Sequence, residues 1–591
     1  MLRQFLILSA GDPSALDGLL ERTQAAIGWE HVIKAPGFAI LCRSIGDVLQ
    51  MPGGRGFIIG TLFSKHGPAR SISGAEPSLL DELAQPDPVG ILRDRFWGGY
   101  VALLVDGGTL SLLRDPSGAM PCYHATVPGG WAAASDVPLL VKVGLIKPTI
   151  AWDELPRYLA ARDLPATATA IKQVREILPG TYERLENGAS ETVSFWSPWK
   201  YVPTDESRDT AQEAERLRRT VDHCVASWGS TADLPLLTLS GGLDSSIVAA
   251  ALGHSRRRFA CVTIGTVDGL GDERNYALAM AQAVGSPLVE ADYDQGDIDL
   301  SLSAARHFPK PIGQIHETAY HAIAMRVANS LHADAIYSGN GGDNVFYNSS
   351  SVRPLLDCLR AYGPGFALIR TLRDIADKNE VSKRIVLWEA LRQYRNLARP
   401  YAWQQNLALM TFHAKQQMLA HPPSHPWLEQ QDRSRPGKAG HVAFLLRVQN
   451  HLEGYFRAFD MPLINPLMSQ PIVELALSIP SWHMVEGGRD RAVARRAYHD
   501  ALPPPVRDRR RKGSPSSFAI AVLRAKRAEV RERLMDGELV TRGFIDEEAL
   551  ATELASEPGT GLGYMRILAL LDMEAWIAHW QGLTAQQVEL A

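Results

Sequence analysis

The sequence has few cysteines, no long apolar run and no marked excess of charge of either sign. Its five cysteines are odd in number and widely spaced, without a Cys-x-x-Cys pair, which argues against a disulfide framework or a cysteine metal site and is typical of a reducing cytosol. A formal net charge of −4 disfavours bulk binding of nucleic acid. The longest late apolar stretch, Met565 to Trp580, is interrupted by Arg566, Asp572 and Glu574, which predicts an amphipathic core helix instead of a membrane span. We therefore expect a cytoplasmic protein with neither nucleic acid nor a membrane as its partner.

The sequence also lacks a Walker A motif, Gly-x-x-x-x-Gly-Lys-Ser/Thr, and a signal-peptide pattern. The first ten residues carry one basic residue and too short an apolar run for secretion, so they are predicted to form the first β-strand. What is present is 46% hydrophobic and 21% charged residues, the balance of an ordinary globular protein. A chain of 591 residues exceeds what one hydrophobic core usually supports, which predicts at least two domains.

The hydrophobic pattern changes near residue 200 and divides the chain into two predicted domains, 1–200 and 205–591. The first has short apolar or alternating runs separated by Gly and Pro, which predicts a β-rich, antiparallel α+β domain. The second alternates strands and helices up to Val352 and is mostly helical beyond it, which predicts an α/β domain with a parallel sheet covered by helices. The junction between them is predicted in the proline-containing stretch from Ser197 to Asp209.

Ligands of such a parallel sheet bind at the carboxyl ends of its strands, so the order of elements in the second domain matters. The predicted strands are Leu234–Leu239, Arg258–Ile264, Pro287–Ala291 and Asp334–Ser338. The predicted helices are Ser245–Leu252, Glu273–Val284 and Ala319–Leu331. Two loops rich in glycine follow two of these strands, and we expect both at the same edge of the sheet.

The first loop has the sequence Ser-Gly-Gly-Leu-Asp-Ser-Ser and runs from Ser240 to Ser246. Its glycines allow backbone angles that turn several N–H groups inward, and a nest of this kind at a helix N-terminus attracts phosphate oxygens. A carboxylate at Asp244 would repel phosphate unless a divalent cation bridged them, which implies Mg²⁺. The loop therefore predicts a site for the pyrophosphate part of ATP.

This motif resembles the PP-loop of the ATP pyrophosphatase superfamily, in the version found in the asparagine synthetase family. The resemblance implies cleavage of ATP between the α and β phosphates and carries over a set of nucleotide contacts. In this sequence the implied ATP-binding residues are Leu239, Ser240, Gly241, Gly242, Leu243, Asp244, Ser245, Ser246, Ile264, Ser338 and Gly339.

The second loop, Ser-Gly-Asn-Gly-Gly-Asp, runs from Ser338 to Asp343 and repeats the chemistry of the first. Two carboxylates at neighbouring strand ends suit a triphosphate bridged by metal ions, so Asp244 and Asp343 are predicted to hold one or two Mg²⁺ ions and to act in catalysis. The order of the two loops also matches the asparagine synthetase family. A glycine-rich turn with a capping Asp is the structural alternative.

A basic run from Arg507 to Gly513 has several interpretations, of which a solvated surface is the usual one. In the family it resembles, a Lys followed by a Gly/Ser segment, after a helix such as Arg489–Leu502, stabilises the adenylate and the transition state for amide formation. The resemblance thus implies that Lys512 is the catalytic lysine, with Arg511 and Arg510 as alternatives.

The first domain resembles the class II glutaminase (Ntn-hydrolase-like) domain of glutamine-dependent asparagine synthetases. The similarity lies in Phe96–Asp106, in the Arg-Asp-x-x-Gly pattern of Arg114–Tyr123 and in Leu178–Thr181. In that family the nucleophile is a Cys directly after the initiator Met, activated by its own amine. Leu2 stands there in this sequence, so we expect that glutamine is not hydrolysed and that the domain is a scaffold or a peptide-docking surface.

Asparagine synthetases usually have Glu at the positions of Asn340 and Asn344, and β-lactam synthetases have Tyr at that of Asn340, so this sequence departs from both. In Arg114–Tyr123 and in the loop Gly341–Phe346, the resemblance is greatest to the lasso-peptide macrolactam synthetases. It implies an enzyme that adenylates an Asp or Glu side chain of a precursor peptide, joins it to the peptide's N-terminal amine and releases AMP and pyrophosphate. A protease that frees this amine is the implied partner. Asparagine synthesis and β-lactam synthesis remain the alternatives. Asn is not a base at pH 7, so the group that deprotonates the amine is unassigned.

Overall fold

The computed structural model describes residues 3–72, 81–186, 189–203, 209–266, 272–396, 401–430, 432, 434–453, 455–509, 516–557 and 563–589. Among these residues no helix combines the length and the apolar character needed to cross a bilayer. The predicted junction at Ser197–Asp209 lies partly outside the described residues, so the domain boundary stays a prediction.

The first part of the chain forms two antiparallel six-stranded sheets, as the alternating pattern predicts. The twelve strands are β1 Phe5–Ala10, β2 His31–Ala35, β3 Phe38–Cys42, β4 Val48–Met51, β5 Gly56–Ser64, β6 Phe96–Asp106, β7 Thr109–Arg114, β8 Tyr123–Val127, β9 Gly130–Ala134, β10 Val174–Glu176, β11 Thr181–Glu186 and β12 Ala189–Ser194. One sheet has the order β10-β8-β9-β1-β3-β2 and the other β12-β11-β7-β6-β5-β4. Apolar side chains of the two sheets meet in a common core that includes Phe5, Ile40, Val101 and Leu112. The two sheets thus form a sandwich, and strands β1 and β3 are buried along their whole length.

The second part contains a five-stranded, wholly parallel sheet. Its strands are β13 Pro235–Thr238, β14 Ala260–Gly265, β15 Leu288–Asp292, β16 Ala335–Tyr337 and β17 Leu463–Ile464, in the order β15-β14-β13-β16-β17. The four strands predicted from the sequence are confirmed, and β17 was missed because only two residues pair. The two strands that precede the glycine-rich loops, β13 and β16, are direct neighbours. The fold class predicted from the sequence is confirmed.

The helices that surround the two sandwiched sheets are α1 Pro13–Ile27, α2 Pro88–Arg95, α3 Val137–Lys142 and α4 Leu155–Ala161. Those of the second part of the chain are α5 Thr210–Gly229, α6 Leu243–His254, α7 Arg274–Val284, α8 Glu317–Leu331, α9 Gly342–Val345, α10 Arg353–Tyr362, α11 Phe366–Lys378, α12 Lys383–Arg395, α13 Phe412–Ala420, α14 Pro426–Glu429, α15 Pro436–Gln449, α16 Gln470–Ser478, α17 Ala492–Ala497, α18 Pro504–Arg507, α19 Ser516–Ala525, α20 Arg527–Met535, α21 Glu538–Thr541, α22 Glu547–Ala555 and α23 Gly563–Glu589. The helical character predicted beyond Val352 and the core helix predicted over Met565–Trp580 are both confirmed.

The two parts of the chain share buried polar contacts. The Glu176 carboxylate accepts from Arg114, at 2.9 Å, and from Lys310 of the second part, at 2.7 Å. Tyr123 donates a hydrogen bond of 2.7 Å to Glu453. We call Arg114, Glu176 and Lys310 the interface network. Burial raises the pKa of Glu176, but the two cations outweigh this effect and the pKa lies below its usual value.

Candidate active site

The first glycine-rich loop leaves β13 and enters α6 with Gly242 as the cap residue. Gly241 has a φ of 63°, and a Cβ there would lie 2.4 Å from Cβ of Tyr276, so only glycine fits. The Ser240 hydroxyl accepts from the Gly242 amide at 3.3 Å. Since α6 is a regular helix of 12 residues, its first amides provide the positive N-terminal end expected for a phosphate site.

The second loop packs directly on the first. A Cβ on Gly339 would lie 2.4 Å from the amide nitrogen of Ser245, and a Cβ on Gly342 would lie 2.5 Å from Cβ of Asp244. Ser338 donates a hydrogen bond of 2.6 Å to Asn465, which directly follows β17. The two loops therefore meet at one edge of the parallel sheet, as the sequence predicts.

Asp244 and Asp343 point at the same atom, the Nη1 of Arg491. The distances are 2.8 Å to Asp244 and 2.5 Å to Asp343. Asp490 holds the same guanidinium from another side at 2.6 Å. Burial by itself lowers the pKa of Arg491, but these three carboxylates raise it above its usual value, so the side chain stays cationic. Arg491 is the residue that the sequence-based reasoning missed most clearly.

Asp244 and Asp343 fit a Mg²⁺ ion. Mg²⁺ is usually bound through one or two carboxylates together with substrate phosphates and water. Among the described residues no group of three or more His, Cys, Asp or Glu side chains could hold a metal, so the phosphates would have to supply further ligands. The shared cation at Arg491 shows that the space between these two carboxylates favours positive charge. Their role as metal ligands stays a prediction.

A cavity of about 620 Å³ opens above the two loops, and we call it the nucleotide cavity. Nine of the predicted ATP-binding residues line it, whereas Gly241 and Ser246 do not. The nine are Leu239, Ser240, Gly242, Leu243, Asp244, Ser245, Ile264, Ser338 and Gly339. Asp343 and Arg491 also line it. The predicted contacts are thus brought together around one space large enough for a nucleotide.

Lys512, with its alternatives Arg510 and Arg511, lies outside the described residues. The chain just before it reaches the site, because Arg509 lines the nucleotide cavity. Arg509 donates to the Gly241 carbonyl at 3.3 Å and forms an ion pair with Glu273. The catalytic role of Lys512 therefore stays a prediction.

The helix predicted over Arg489–Leu502 is shorter in the structure. It covers only α17, from Ala492 to Ala497. Arg491 has a φ of 51° and a ψ of 39°, which is left-handed backbone, so the helix cannot extend toward Arg489. This bend lies directly before α17, at the residue whose side chain reaches the two aspartates. The helix predicted over Glu273–Val284 is confirmed as α7, and the Asp272 carboxylate before it accepts from the Arg274 amide at 3.0 Å.

A second cavity of about 440 Å³ adjoins the first and is walled by both parts of the chain. It shares Tyr320, Ser338, Asn340 and Asn344 with the nucleotide cavity. Because its position beside the nucleotide would suit the molecule that receives the activated group, we call it the acceptor cavity. Neither Asn side chain can accept a proton at neutral pH.

Titratable groups line the acceptor cavity. His451 Nε2 lies 3.1 Å from an Asp163 oxygen, and His451 Nδ1 lies 3.1 Å from the Tyr455 hydroxyl. Burial alone would raise the pKa of Asp163, but the hydrogen bond and charge of His451 and the nearby arginines lower it to about 2. Burial raises the pKa of Glu317, which also faces this space. None of these residues was singled out from the sequence.

The five cysteines all lie in buried positions, and none lines either cavity. Burial raises the pKa of Cys42 and of Cys261 to about 11. A thiol of this kind is almost wholly protonated at neutral pH and is a poor nucleophile. None of these cysteines is therefore placed to hydrolyse glutamine.

Comparison with known families gives two matches. Residues 216–578, more than half of the chain, match the asparagine synthase family. Residues 92–196 match the glutamine amidotransferase domain. The first match contains both glycine-rich loops and Arg491, and the second contains Asp163.

Individual relatives are distant. A Mycobacterium tuberculosis protein that carries the name of a glutamine-hydrolyzing asparagine synthetase is 26% identical over 43% of this chain and 40% of its own length. A carboxyethyl-arginine β-lactam synthase from Streptomyces clavuligerus is 25% identical over 39% of this chain and 50% of its own. These matches thus span half or less of the curated relatives. A solved structure of glutamine phosphoribosylpyrophosphate amidotransferase from B. subtilis covers 49% of this chain and 65% of that one at 12% identity, with a TM-score of 0.20.

Proposed function

The chain belongs to the asparagine synthase family, and from this premise we propose that it is an ATP- and Mg²⁺-dependent amide-forming ligase. The observation that carries the proposal is the pair of glycine-rich loops, packed on each other, with Asp244 and Asp343 directed at one point in the nucleotide cavity. A carboxylate attacks the α-phosphorus of ATP, pyrophosphate leaves, and an amine then displaces AMP. Mg²⁺ bound by the two aspartates would neutralise the departing phosphates.

We further propose that the carboxylate is an Asp or Glu side chain of a precursor peptide and that the amine is the peptide's own N-terminus, as in lasso-peptide cyclases. The adjoining acceptor cavity supports this, because it lies between the two parts of the chain and offers room beside the nucleotide. Asn340 and the buried cysteines also favour an attacking amine other than ammonia released from glutamine. Holding both ends of one peptide makes the second step intramolecular. A protease that frees the amine is the proposed partner.

The decisive experiment tests several carboxylic acids as substrates of the purified protein. Purified protein with ATP and Mg²⁺ receives synthetic peptides with a free N-terminus and one Asp or Glu, then L-aspartate with ammonium, then carboxyethyl-arginine. Release of pyrophosphate reports activation, and mass spectrometry reports the product. We expect a peptide that loses one water.

Two matched peptides sharpen this test. An N-acetylated peptide should still release pyrophosphate but should not cyclise, and a peptide with Asn in place of Asp should do neither. Formation of asparagine from L-aspartate and ammonium would contradict the peptide substrate and keep the ligase. Absence of pyrophosphate release with every acid would contradict the ligase itself.

A further inference from the structure

Amide formation needs a proton acceptor that the two loops do not offer. An N-terminal amine has a pKa of about 8, and its nitrogen must lose a proton as it bonds to the acyl carbon. Asn340 and Asn344 cannot accept that proton. Asp244 and Asp343 are directed at Arg491 on the phosphate side. Titratable side chains line another wall of the acceptor cavity.

His451 and Asp163 form a pair on that wall, and they come from different parts of the chain. Asp163 lies in the segment that matches the glutamine amidotransferase domain, whereas His451 lies in the asparagine synthase segment, just beyond the end of α15. Their separation of 3.1 Å is a direct hydrogen bond. Both line the acceptor cavity, together with Tyr455.

The partners of the ring assign its tautomer. Asp163 is ionised at neutral pH because its pKa is about 2, so it can only accept, and Nε2 of His451 must carry the ring proton. Nδ1 is then free to accept the proton of the Tyr455 hydroxyl, 3.1 Å away. The same hydroxyl also has a hydrogen bond with the Glu317 carboxylate and lies 3.3 Å from the Ile312 carbonyl. Asp163, His451 and Tyr455 thus form a hydrogen-bonded relay of three residues, each of which lines the acceptor cavity.

We propose that this relay is the base of the amide-forming step, an inference that rests on the proposed ligase activity but not on the peptide substrate. The amine nitrogen bonds to the acyl carbon, and the bond from that carbon to the AMP oxygen breaks with its electron pair on AMP. The nitrogen passes its extra proton to the Tyr455 oxygen as the phenolic proton moves to Nδ1 of His451. The resulting imidazolium is stabilised by Asp163.

Charged groups of both signs line the acceptor cavity around His451. The Arg162 guanidinium lies 3.3 Å from Asp163, and burial lowers the pKa of His321 to about 3, so that ring is neutral. The charged and titratable groups that face the relay are Arg162, Asp163, Glu317, Tyr320, His321 and Arg447.

The relay gives the first part of the chain a role in catalysis without a nucleophile of its own. Asp163 is a positioning residue, because it acts on the amine only through His451. His451 and Tyr455 are the residues that exchange protons. Removal of Asp163 should accordingly weaken amide formation less than removal of His451.

The test separates activation from amide formation. His451→Gln is compared with wild type and with His499→Gln, a matched control because His499 forms an exposed pair of 2.9 Å with Asp500. The probes are L-aspartate and an N-acetylated Asp peptide for ATP–pyrophosphate exchange, and L-aspartate with ammonium and the free-amine peptide for amide formation. We expect exchange by His451→Gln within about twofold of wild type and amide formation lower by about 100-fold or more. Hydroxylamine, a strong nucleophile that is unprotonated at neutral pH, should restore much of the product.

A pH profile distinguishes a base from a structural contact. A general base must be unprotonated to act, so the fall of wild-type amide formation toward acid pH should vanish in His451→Gln, whereas exchange should show no such change. Asp163→Asn should keep exchange and lower amide formation by about tenfold.

Four results would overturn the inference. One is unchanged amide formation in His451→Gln, and another is equal loss of exchange and amide formation, which would indicate a structural role. A third is the same selective loss in Glu317→Gln with none in His451→Gln, which would transfer the role to Glu317. Finally, a wild type that exchanges pyrophosphate with none of these acids would refute the ligase and the relay with it, whereas a wild type that exchanges pyrophosphate but forms the amide without dependence on His451 would refute only the relay.

Discussion

The interface network and the cluster around Arg491 are both buried sets of ion pairs, but they differ in what surrounds them. In the first, Glu176 accepts from both Arg114 and Lys310, and Arg114 also donates to three backbone carbonyls, so protein groups surround the charges. In the second, Arg491 is shared by Asp244 and Asp343, and all three line an open cavity. A sealed network stabilises a contact between segments, whereas a cluster open to a cavity can exchange its partner for a ligand.

The largest expected effect is loss of catalysis when an aspartate of the cluster around Arg491 is replaced. Asp244→Asn or Asp343→Asn should reduce pyrophosphate release by about 10³-fold, because charge developing on the phosphates would lose its compensation. Thermal melting should show a folded protein. Asp500→Asn, an exposed position, should leave the rate unchanged. Near-normal turnover in Asp244→Asn would show that its carboxylate does not serve the phosphates.

Substitution in the interface network should have the opposite result, a loss of stability without a loss of catalysis. Glu176→Gln leaves two buried cations with a neutral partner and should lower the free energy of unfolding by about 3 kcal/mol. The molecules that remain folded should release pyrophosphate at the wild-type rate, because no member of the network lines the nucleotide cavity. Urea unfolding and an activity assay at low temperature would measure the two quantities.

The control for this change is Glu191→Gln on the surface. Glu191 pairs with Arg184 at 3.0 Å, but its side chain is 67% exposed, so the expected change in unfolding free energy is close to zero. Equal effects of the two substitutions would mean that the interface network contributes no more than a surface pair.

A smaller effect on stability is expected if Mg²⁺ can take the place of the Arg491 cation between the two aspartates. In Arg491→Gln the two aspartates lose their shared cation, and we expect a loss of about 2 kcal/mol in unfolding free energy. Millimolar Mg²⁺ should restore part of it in the variant and change the wild type less, because the guanidinium no longer competes. Melting curves with and without Mg²⁺ would measure this. Equal responses of both proteins would contradict a metal site between the two aspartates.

Much of the fold and of the nucleotide site could be predicted from the sequence because the signals are local. A strand, two or three glycines and a helix follow one another within a dozen residues. The first loop alone therefore predicts the place where the pyrophosphate part of ATP binds. The second loop repeats the pattern, and parallel pairing of β13 with β16 brings them together. The weakest local predictions concerned helix ends, as at Arg491, where positive φ interrupts a sequence that favours helix.

The acceptor cavity could not be predicted in this way. Asp163 and His451 are 288 residues apart and belong to different parts of the chain. A lone His after a helix carries no sequence signal, and neither does an Asp beside an Arg. Their meeting depends on how the two sheets of the first part pack against the helices of the second, which is a property of the whole core and of no single segment.

The smallest expected effect is a pH dependence of the interface network. The pKa of Glu176 lies below its usual value of 4.5 in the folded protein, so its ion pairs contribute stability above that value, and the contribution is lost as pH falls through the folded pKa. Wild type should therefore lose stability on acidification below about pH 4.5, and Glu176→Gln, which has no carboxylate to protonate, should lose less. Melting temperatures over this range for both proteins would test the sign. A steeper acid loss in the variant would contradict the assignment of Glu176 as the charge that binds Arg114 and Lys310.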